Sequence, residues 1–282
     1  MNVPSKKIGN QGRAHGRSVD QIRPIRVTYD AFGYASGTVL FEIGDTKVLC
    51  AVSLNVGVPP FLKGLRTGWL TAEYAMLPTS TVQRTQREAI TQKRSGRGTE
   101  ISRLIGRALR AVMNLDVLGE RTITIDCDVL QADGGTRTAA ISGAYLALRL
   151  AEQRWIADTI ITRPCIIGDV AAISVGMVDG IAMVDLDCAE DNKAEVDFNF
   201  MLTSSGDIIE IQGSVEHTHA ISWDNFEAMR YLAINGVKTL FGSLPQAPCV
   251  KQEQPNELRP HKSVSQTERV PLFCLKNRLD KV

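Results

Sequence analysis

Residues 122–151 read TITIDCDVLQADGGTRTAAISGAYLALRLA and contain the change of period on which the fold prediction rests. Apolar and polar side chains alternate over residues 122–129, and a period of two is typical of a β-strand with one buried face. Gly134 and Gly135 then interrupt the chain. The run 136–151, rich in alanine and leucine, predicts a well-buried helix. This stretch therefore predicts a strand, a glycine turn and a helix in direct succession.

The junction at 134–138, GGTRT, is a candidate anion site. Free N–H groups and the positive end of the helix dipole attract an anion there, and glycines let the backbone approach it. The hydroxyl of Thr136 and the guanidinium of Arg137 supply further donors. The spacing and the lysine of a Walker loop are absent, which argues against hydrolysis of nucleoside triphosphates. A tight turn without a ligand is the alternative interpretation.

Hairpins and helices along the rest of the chain predict an α+β fold rather than a doubly wound parallel sheet. Short turns at 44–45, 179–180 and 205–207 each join two strand-like runs. The predicted strands outside the first stretch are 37–43, 46–54, 166–178, 181–186, 194–202 and 208–212. Helical spacing extends over 100–115, and Ser222 is the predicted N-cap of a helix that ends near Gly242.

Composition excludes several classes of protein. The chain has 282 residues, 44% of them hydrophobic, and its 32 bases and 31 acids leave a net charge of +1. This near-neutral balance argues against binding of nucleic acid by bulk charge. No apolar run approaches the ~20 residues that span a bilayer, and the polar first residues lack the apolar centre of a secretory signal. We therefore expect a cytoplasmic protein.

We expect an N-terminal extension at 1–15, a main domain at 16–244 and a flexible C-terminal tail at 245–282. The tail contains five of the 11 prolines and no sustained periodicity. The six cysteines lack C-x-x-C spacing, and the first four lie in or beside apolar runs. We predict that these four are buried thiols rather than metal ligands.

Positive charge is concentrated in residues 84–110, the basic segment. Eight bases face two acids there, so a nearly neutral chain has a local net charge of +6. Guanidinium groups match phosphate oxygens with paired donors, which makes the segment a candidate phosphate or RNA surface. A solvated helix face is the alternative, and composition does not separate the two.

Negative charge is concentrated in residues 185–197, the acidic segment. The segment contains six acids and a single base, Lys193, which gives a net charge of −5. Crowded carboxylates suit Mg²⁺, and a raised pKa can make one of them a general acid. An exposed acidic edge that deters strand pairing is an equal alternative. Taken together with the anion site and the basic segment, the acidic segment suggests phosphoryl transfer.

The order of motifs along residues 16–242 resembles the ribonuclease PH family of phosphate-dependent 3′-to-5′ exoribonucleases. The residues that carry the resemblance are Gly16-Arg17, Arg23-Pro24, GDTKVLC at 44–50, GW at 68–69, TAEY at 71–74, SGR at 95–97, RLIGR at 103–107, residues 126–138, Glu190-Asp191 and Asp197. The resemblance implies a nucleotidyltransferase that trims transfer RNA precursors, releases nucleoside diphosphates and also extends RNA 3′ ends in reverse. It further implies an α+β ribonuclease PH fold related to a domain of ribosomal protein S5, and a homohexamer of three dimers.

The resemblance also implies roles for individual residues. Inorganic phosphate, the co-substrate, would bind to Arg97, Gly135, Thr136 and Arg137. Asp191 and Asp197 would be the catalytic carboxylates and would hold Mg²⁺. Arg84 and Arg87 match basic positions used for RNA contact or ring assembly.

The chain departs from the family pattern in three places. Thr79 stands where close relatives carry arginine, residues 216–223 (EHTHAISW) replace an acidic-glycine segment, and both ends exceed the common length. None of these removes a proposed catalytic residue. Two alternatives are weighed: a catalytically silent ring subunit that only binds RNA, and a metal-dependent hydrolase that uses water. Retention of the site residues disfavours the first, and a phosphate cradle disfavours the second.

Overall fold

A computed structural model of the chain describes residue 13 and residues 16–87, 96–216 and 220–248. All of these belong to one compact unit, which ends at residue 250. Most of the predicted extension and tail, together with Cys249 and Cys274, lies outside the described residues, so the three region boundaries stay predictions. No described helix is long and apolar enough to cross a membrane.

The first sheet has five strands in the order β1-β2-β3-β5-β4. Its strands are β1 (Ile25–Tyr29), β2 (Gly37–Ile43), β3 (Thr46–Val56), β4 (Trp69–Met76) and β5 (Arg121–Gln131). All neighbours are antiparallel except β4 and β5, which run parallel. Parallel strands need a crossover connection, and helix α1 (Gly96–Arg110) lies within this one.

The second sheet has four antiparallel strands in the order β7-β6-β8-β9. Its strands are β6 (Ala171–Val178), β7 (Ile181–Val184), β8 (Val196–Leu202) and β9 (Ile208–Val215). A single helical turn, α3 (Cys188–Asp191), connects β7 to β8. The acidic segment therefore begins at the end of one strand and finishes inside another.

Helix α2 (Thr136–Ala157) packs between the sheets, where it contacts β2, β3 and β6. It is buried over most of its surface, as its alanine- and leucine-rich sequence predicts. Helix α4 (Trp223–Ser243) covers the second sheet, and the hydroxyl of Ser222 caps it by accepting from the N–H of Asn225 at 3.2 Å. The α+β fold class and this cap are confirmed.

The structure corrects several predicted boundaries. The basic helix ends at Arg110 rather than 115, because Asn114 caps a separate 3-10 turn at Leu115–Leu118. The strand predicted from 166 begins at Ala171, and β1 and β4 had no predicted counterpart. Among the first four cysteines, Cys188 is exposed because it begins the surface turn α3, so its predicted burial is wrong.

Candidate active site

The anion site forms where β5 gives way to α2. Gly134 and Gly135 both adopt left-handed backbone, with φ of 75° and 64°, which glycine alone adopts without strain. Gly135 is the N-cap of α2, and no side chain caps this end of the helix. The first N–H groups of a 22-residue helix are therefore oriented towards an incoming anion. We call residues 134–137 the phosphate cradle.

The carbonyl side of the cradle is tied to the first sheet. The hydroxyl of Thr46 donates to the carbonyl oxygen of Gly134 at 2.7 Å and accepts from the N–H of Asp133 at 3.0 Å. Thr46 starts β3 and is fully buried. These two bonds tie the turn to the start of β3.

Gly134 also lies directly against the acidic segment. A Cβ added at this position would come within 2.5 Å of the carbonyl oxygen of Leu186 and 2.7 Å of the carbonyl carbon of Asp187. Such distances exclude any side chain. Gly134 is therefore required for two reasons: the left-handed turn, and the close approach of its backbone to the backbone of Leu186 and Asp187. The phosphate cradle and the acidic segment, which are separate in the sequence, are therefore in contact.

Three buried arginines, Arg13, Arg17 and Arg23, hold the start of the acidic segment, and we call them the arginine clamp. Arg23 grips the Asp185 carboxylate with Nε at 3.0 Å and Nη2 at 2.7 Å, and its backbone N–H donates to the same group at 2.7 Å. Arg13 makes two 2.7 Å bonds to Glu190, and Arg17 Nη2 donates to Glu190 at 3.3 Å. These bonds outweigh the effect of burial and keep the pKa of Glu190 below its ordinary value.

The short helix α3 places Asp191. The side chain of Asp187 accepts from the N–H groups of Ala189 and Glu190, each at 2.9 Å, and Glu190 returns a bond to the N–H of Asp187. This capping box fixes the single turn that ends at Asp191. Asp191 is exposed, yet crowding by protein atoms raises the pKa of its carboxyl, against the opposing charges of Arg97 and Arg137.

Asp197 lies on β8, and its carboxyl is more buried than that of Asp191. Burial, followed by the charge of Asp191, raises the pKa of Asp197 to about 6, although Arg137 and Asn199 oppose the shift. Its Oδ2 accepts weakly from Asn199 Nδ2 at 3.4 Å, whereas Oδ1 is buried without a hydrogen-bond partner in the described part of the chain. A buried oxygen without a partner is costly unless a proton, an ion or a substrate supplies one.

Arg137 is oriented by two side chains that sequence analysis did not select. Its Nη1 donates to Gln212 Oε1 at 3.2 Å, and Gln212 Nε2 donates to Glu100 Oε1 at 2.6 Å. Gln212 comes from β9 and Glu100 from α1, so three separate elements converge on one guanidinium. A lone glutamine in a strand carries no sequence signal that would reveal this contact.

Tyr74 is a third residue of the site that the sequence did not reveal. Its buried hydroxyl donates to Thr136 Oγ1 at 2.8 Å. Burial raises the pKa of Tyr74, while the bond to Thr136 and the charges of Arg97 and Arg137 lower it. Tyr74 stands in the TAEY motif, but nothing in the motif alone points to a contact with the cradle.

The structure brings the predicted phosphate ligands and carboxylates into one electrostatic cluster. Its members are Arg97, Gly135, Thr136, Arg137, Asp191 and Asp197. Arg97 is the second residue of α1 and is exposed. Arg84 and Arg87 are also exposed, on the loop after β4, and within the described residues no hydrogen bond or ion pair joins them to this cluster.

The departures from the family pattern lie close to these regions. Thr79 is exposed, on the same loop as Arg84. Glu216 begins the altered segment, and its charge raises the pKa values of both Asp191 and Asp197. Residues 217–219 lie outside the described residues. Within the described ranges, no three acidic, histidine or cysteine side chains form a metal-binding group by themselves.

Two family models and a curated relative match most of this chain. Residues 21–153 match the 3′ exoribonuclease family, domain 1, and residues 169–236 match domain 2 of the same family. Ribonuclease PH of Syntrophomonas wolfei is 50% identical over 228 residues, which cover 81% of this chain and 95% of that protein.

Solved structures share the fold at low identity. Rice Rrp46 has a TM-score of 0.64 at 21% identity, with 81% of this chain and 97% of that chain covered. The Archaeoglobus fulgidus exosome with RNA bound to the active site has a TM-score of 0.70 at 17% identity, with 82% and 92% covered. These distant likenesses do not favour a catalytically silent subunit. The chain therefore belongs to the 3′ exoribonuclease family, and the predicted phosphate-dependent 3′-to-5′ exoribonuclease activity is confirmed.

Proposed function

We propose that inorganic phosphate binds in the phosphate cradle, between Arg97 and Arg137, and attacks the RNA from there. The observation that carries this assignment is the uncapped N-terminus of α2 beside two guanidinium groups. Helix N–H groups and paired donors bind phosphate oxygens, and the cations offset the negative charge of phosphate and RNA as they approach.

The chemistry is an in-line displacement. A phosphate oxygen forms a bond to the phosphorus of the last phosphodiester, and the bond from this phosphorus to the 3′ oxygen of the preceding nucleotide breaks. The terminal nucleotide leaves as a nucleoside diphosphate, and the 3′ oxygen takes up a proton. In the absence of Mg²⁺, a pKa of about 6 favours Asp197 over Asp191 as the proton donor, since a general acid works best when its pKa is close to the working pH, whereas a bound cation lowers the pKa of a carboxylate ligand.

Asp191 and Asp197 would also hold Mg²⁺. The buried Oδ1 of Asp197 without a partner fits a cation, and carboxylates, water and phosphate oxygens are the ligands that Mg²⁺ prefers. Bound there, Mg²⁺ would neutralise charge on the transferred phosphoryl group.

The physiological substrate in this proposal is the 3′ end of transfer RNA precursors and of other RNA. Exposed Arg84 and Arg87 support an RNA path that extends beyond the site. The A. fulgidus exosome, with the same fold, carries RNA at its own active site. A homohexamer of three dimers and a cytoplasmic location complete the proposal.

Product analysis tests the reaction directly. RNA is incubated with the purified chain with and without inorganic phosphate, and the released mononucleotide is identified. We expect a nucleoside diphosphate that appears only with phosphate. A nucleoside monophosphate would show hydrolysis, and no release would show a silent subunit.

Arg137→Ala tests the cradle. We expect loss of phosphate-dependent shortening with RNA affinity largely kept, because many other phosphate contacts supply affinity. Arg230→Ala is the matched control, since Arg230 is a partly exposed arginine on α4 paired with Glu227. Equal loss of RNA binding and of turnover, measured by filter retention and product release, would contradict the assignment of Arg137.

Asp191→Asn and Asp197→Asn test the carboxylates. Each should lower turnover by orders of magnitude at saturating Mg²⁺, because each removes a charge at nearly constant volume. Circular dichroism should show a folded protein. A variant with full turnover would remove that residue from the mechanism.

Reversibility tests the mechanism as a whole. Phosphorolysis exchanges a phosphodiester for a phosphoanhydride, and one transition state serves both directions. With excess nucleoside diphosphate, RNA 3′ ends should grow and phosphate should appear in step, while Arg97→Ala and Arg137→Ala should suppress growth and shortening together. Shortening without growth at any ratio of diphosphate to phosphate would refute phosphorolysis.

A further inference from the structure

Tyr74 is placed beside the cradle by elements other than α2. It lies on β4, where it pairs in register with Cys127 of β5, and its backbone N–H donates to the hydroxyl of Ser102 on α1 at 3.0 Å. Only 6% of the residue is exposed. The position of its hydroxyl, 2.8 Å from Thr136 Oγ1, is therefore fixed independently of any ligand.

The two threonines at the start of α2 use their hydroxyl groups differently. A threonine hydroxyl has one proton to donate and two lone pairs to accept with. Thr138 donates its proton to the carbonyl oxygen of Gly135 at 2.8 Å. Thr136 accepts from Tyr74, and its own proton has no acceptor within the described residues. Of the two hydroxyl protons, only that of Thr136 is available to a ligand.

The surrounding charges favour this direction of donation. Burial raises the pKa of Tyr74 above its ordinary value, and the charges of Arg97 and Arg137 reduce that shift. Nearby positive charge makes a phenol a better donor. Hydrogen bonds in a chain polarise one another, so a Thr136 hydroxyl that accepts from Tyr74 is a stronger donor to an anion.

We propose that Tyr74 is a positioning residue for inorganic phosphate. Its hydroxyl holds Thr136 as an acceptor and so directs the Thr136 proton at a phosphate oxygen in the cradle. This inference rests on the proposed phosphate site. Tyr74 itself does not touch phosphate and acts through Thr136.

Tyr74→Phe removes the hydroxyl and keeps the ring. We expect the KM for phosphate to rise about three- to tenfold, the change that corresponds to one neutral hydrogen bond, with the KM for RNA and kcat at saturating phosphate nearly unchanged. Tyr145→Phe is the matched control, since Tyr145 is equally buried and its hydroxyl donates to Gly168. Tyr145 lies about 14 Å from Thr136 along the axis of α2. The control variant should therefore leave the KM for phosphate unaltered.

A double-mutant cycle separates positioning through Thr136 from general packing. Thr136→Val should raise the KM for phosphate, and adding Tyr74→Phe to that variant should produce no further rise. Thr136→Ser keeps the hydroxyl and should keep the sensitivity to Tyr74→Phe. The inference is overturned if Tyr74→Phe leaves the KM for phosphate unchanged. It is also overturned if the rise in KM of the double variant equals the product of the rises in the two single variants.

Failure of the phosphate site gives a different pattern. If Thr136→Val and Arg137→Ala both leave the KM for phosphate unchanged, the site lies elsewhere and the role of Tyr74 is refuted with it. If both raise the KM and Tyr74→Phe alone does not, only the role of Tyr74 is refuted. Urea unfolding of each variant verifies that the compared proteins are folded.

Discussion

The phosphate cradle is built from four consecutive residues, whereas the acidic segment is held by arginines up to 177 positions away in the chain. The turn of the cradle needs a strand, two glycines and a helix start, which neighbouring residues encode, although Thr46 and Arg23 also bond to it from elsewhere in the chain. The acidic segment has a local capping box, but Arg13 and Arg23 bond to it from distant parts of the chain. The difference teaches that a site can combine one half whose geometry is local with one half whose geometry depends on the completed fold.

The acids of the acidic segment differ in their partners. Asp185 and Glu190 are neutralised by arginines, and Asp187 caps α3. Asp191 and Asp197 remain for chemistry, both with raised pKa values. The alternative of an exposed acidic edge does not apply to Asp185 and Asp187, since both are buried.

Gly134→Ala should have the largest effect, because it breaks the contact between the two halves. A Cβ at this position would meet backbone atoms at 2.5 Å in a left-handed residue. We expect a loss of unfolding free energy on the order of 5 kcal/mol, measured by urea unfolding. Gly180→Ala has a similar φ of 73° with nothing within 4 Å, and should cost only about 1 kcal/mol. Equal costs would mean that the turn, not the contact, needs glycine.

Arg23→Met breaks the clamp and also removes the bonds that Arg23 donates to the carbonyl oxygens of Asp133 and Gly134 in the turn. We expect a loss of about 3 kcal/mol or more in urea unfolding, because the buried carboxylate of Asp185 loses both side-chain bonds from Arg23 and keeps only the backbone N–H of residue 23 and the more distant Arg17. Arg230→Met removes an exposed ion pair with Glu227 and should cost less than about 1 kcal/mol. A loss that small for Arg23→Met would show that the acidic segment holds its shape without the clamp.

Asp197→Asn should stabilise the fold at pH 8 without Mg²⁺, by about 1 to 3 kcal/mol. The pKa of Asp197 is about 6 in the folded chain against an ordinary 3.8, so the folded state disfavours the carboxylate above pH 6. The gain should shrink as the pH falls through 6 and vanish below about 4, where both states are protonated.

Mg²⁺ provides the control for that measurement. The ion should raise the thermal midpoint of the wild type more than that of Asp197→Asn, because the variant keeps only the carboxylate of Asp191. A stability difference between the two proteins that is independent of pH from 4 to 8 would contradict the burial of the Asp197 charge.

Arg84→Gln with Arg87→Gln should have the smallest effect, since neither residue belongs to either half of the site. We expect RNA affinity to fall several-fold. The slope of log affinity against log salt should become shallower by about one for each RNA phosphate that an arginine no longer neutralises. The KM for phosphate should not change. Arg230→Gln is the control, and a phosphate effect in the double variant would place the loop in the site.

The local half of the site was predictable from the sequence, and the long-range half was not. Gly134 and Gly135 stand between a period of two and a buried helical run, so the turn and the helix N-terminus follow from neighbouring residues. Arg23 and Tyr74 carry no such pattern, because their partners are fixed by sheet order and by packing. Strand β4 was missed for a related reason. It contains alanine and glutamate, residue types that are depleted in strands, and its parallel pairing with β5 is a tertiary feature.

The ties on Gly134 have a thermodynamic consequence. Thr46 and the backbone of the acidic segment immobilise this glycine before any anion arrives. Glycine loses more conformational entropy on ordering than any other residue, and here folding has already removed that entropy. Phosphate therefore enters a turn that has little freedom left to lose, so most of the interaction with its donors remains as binding free energy.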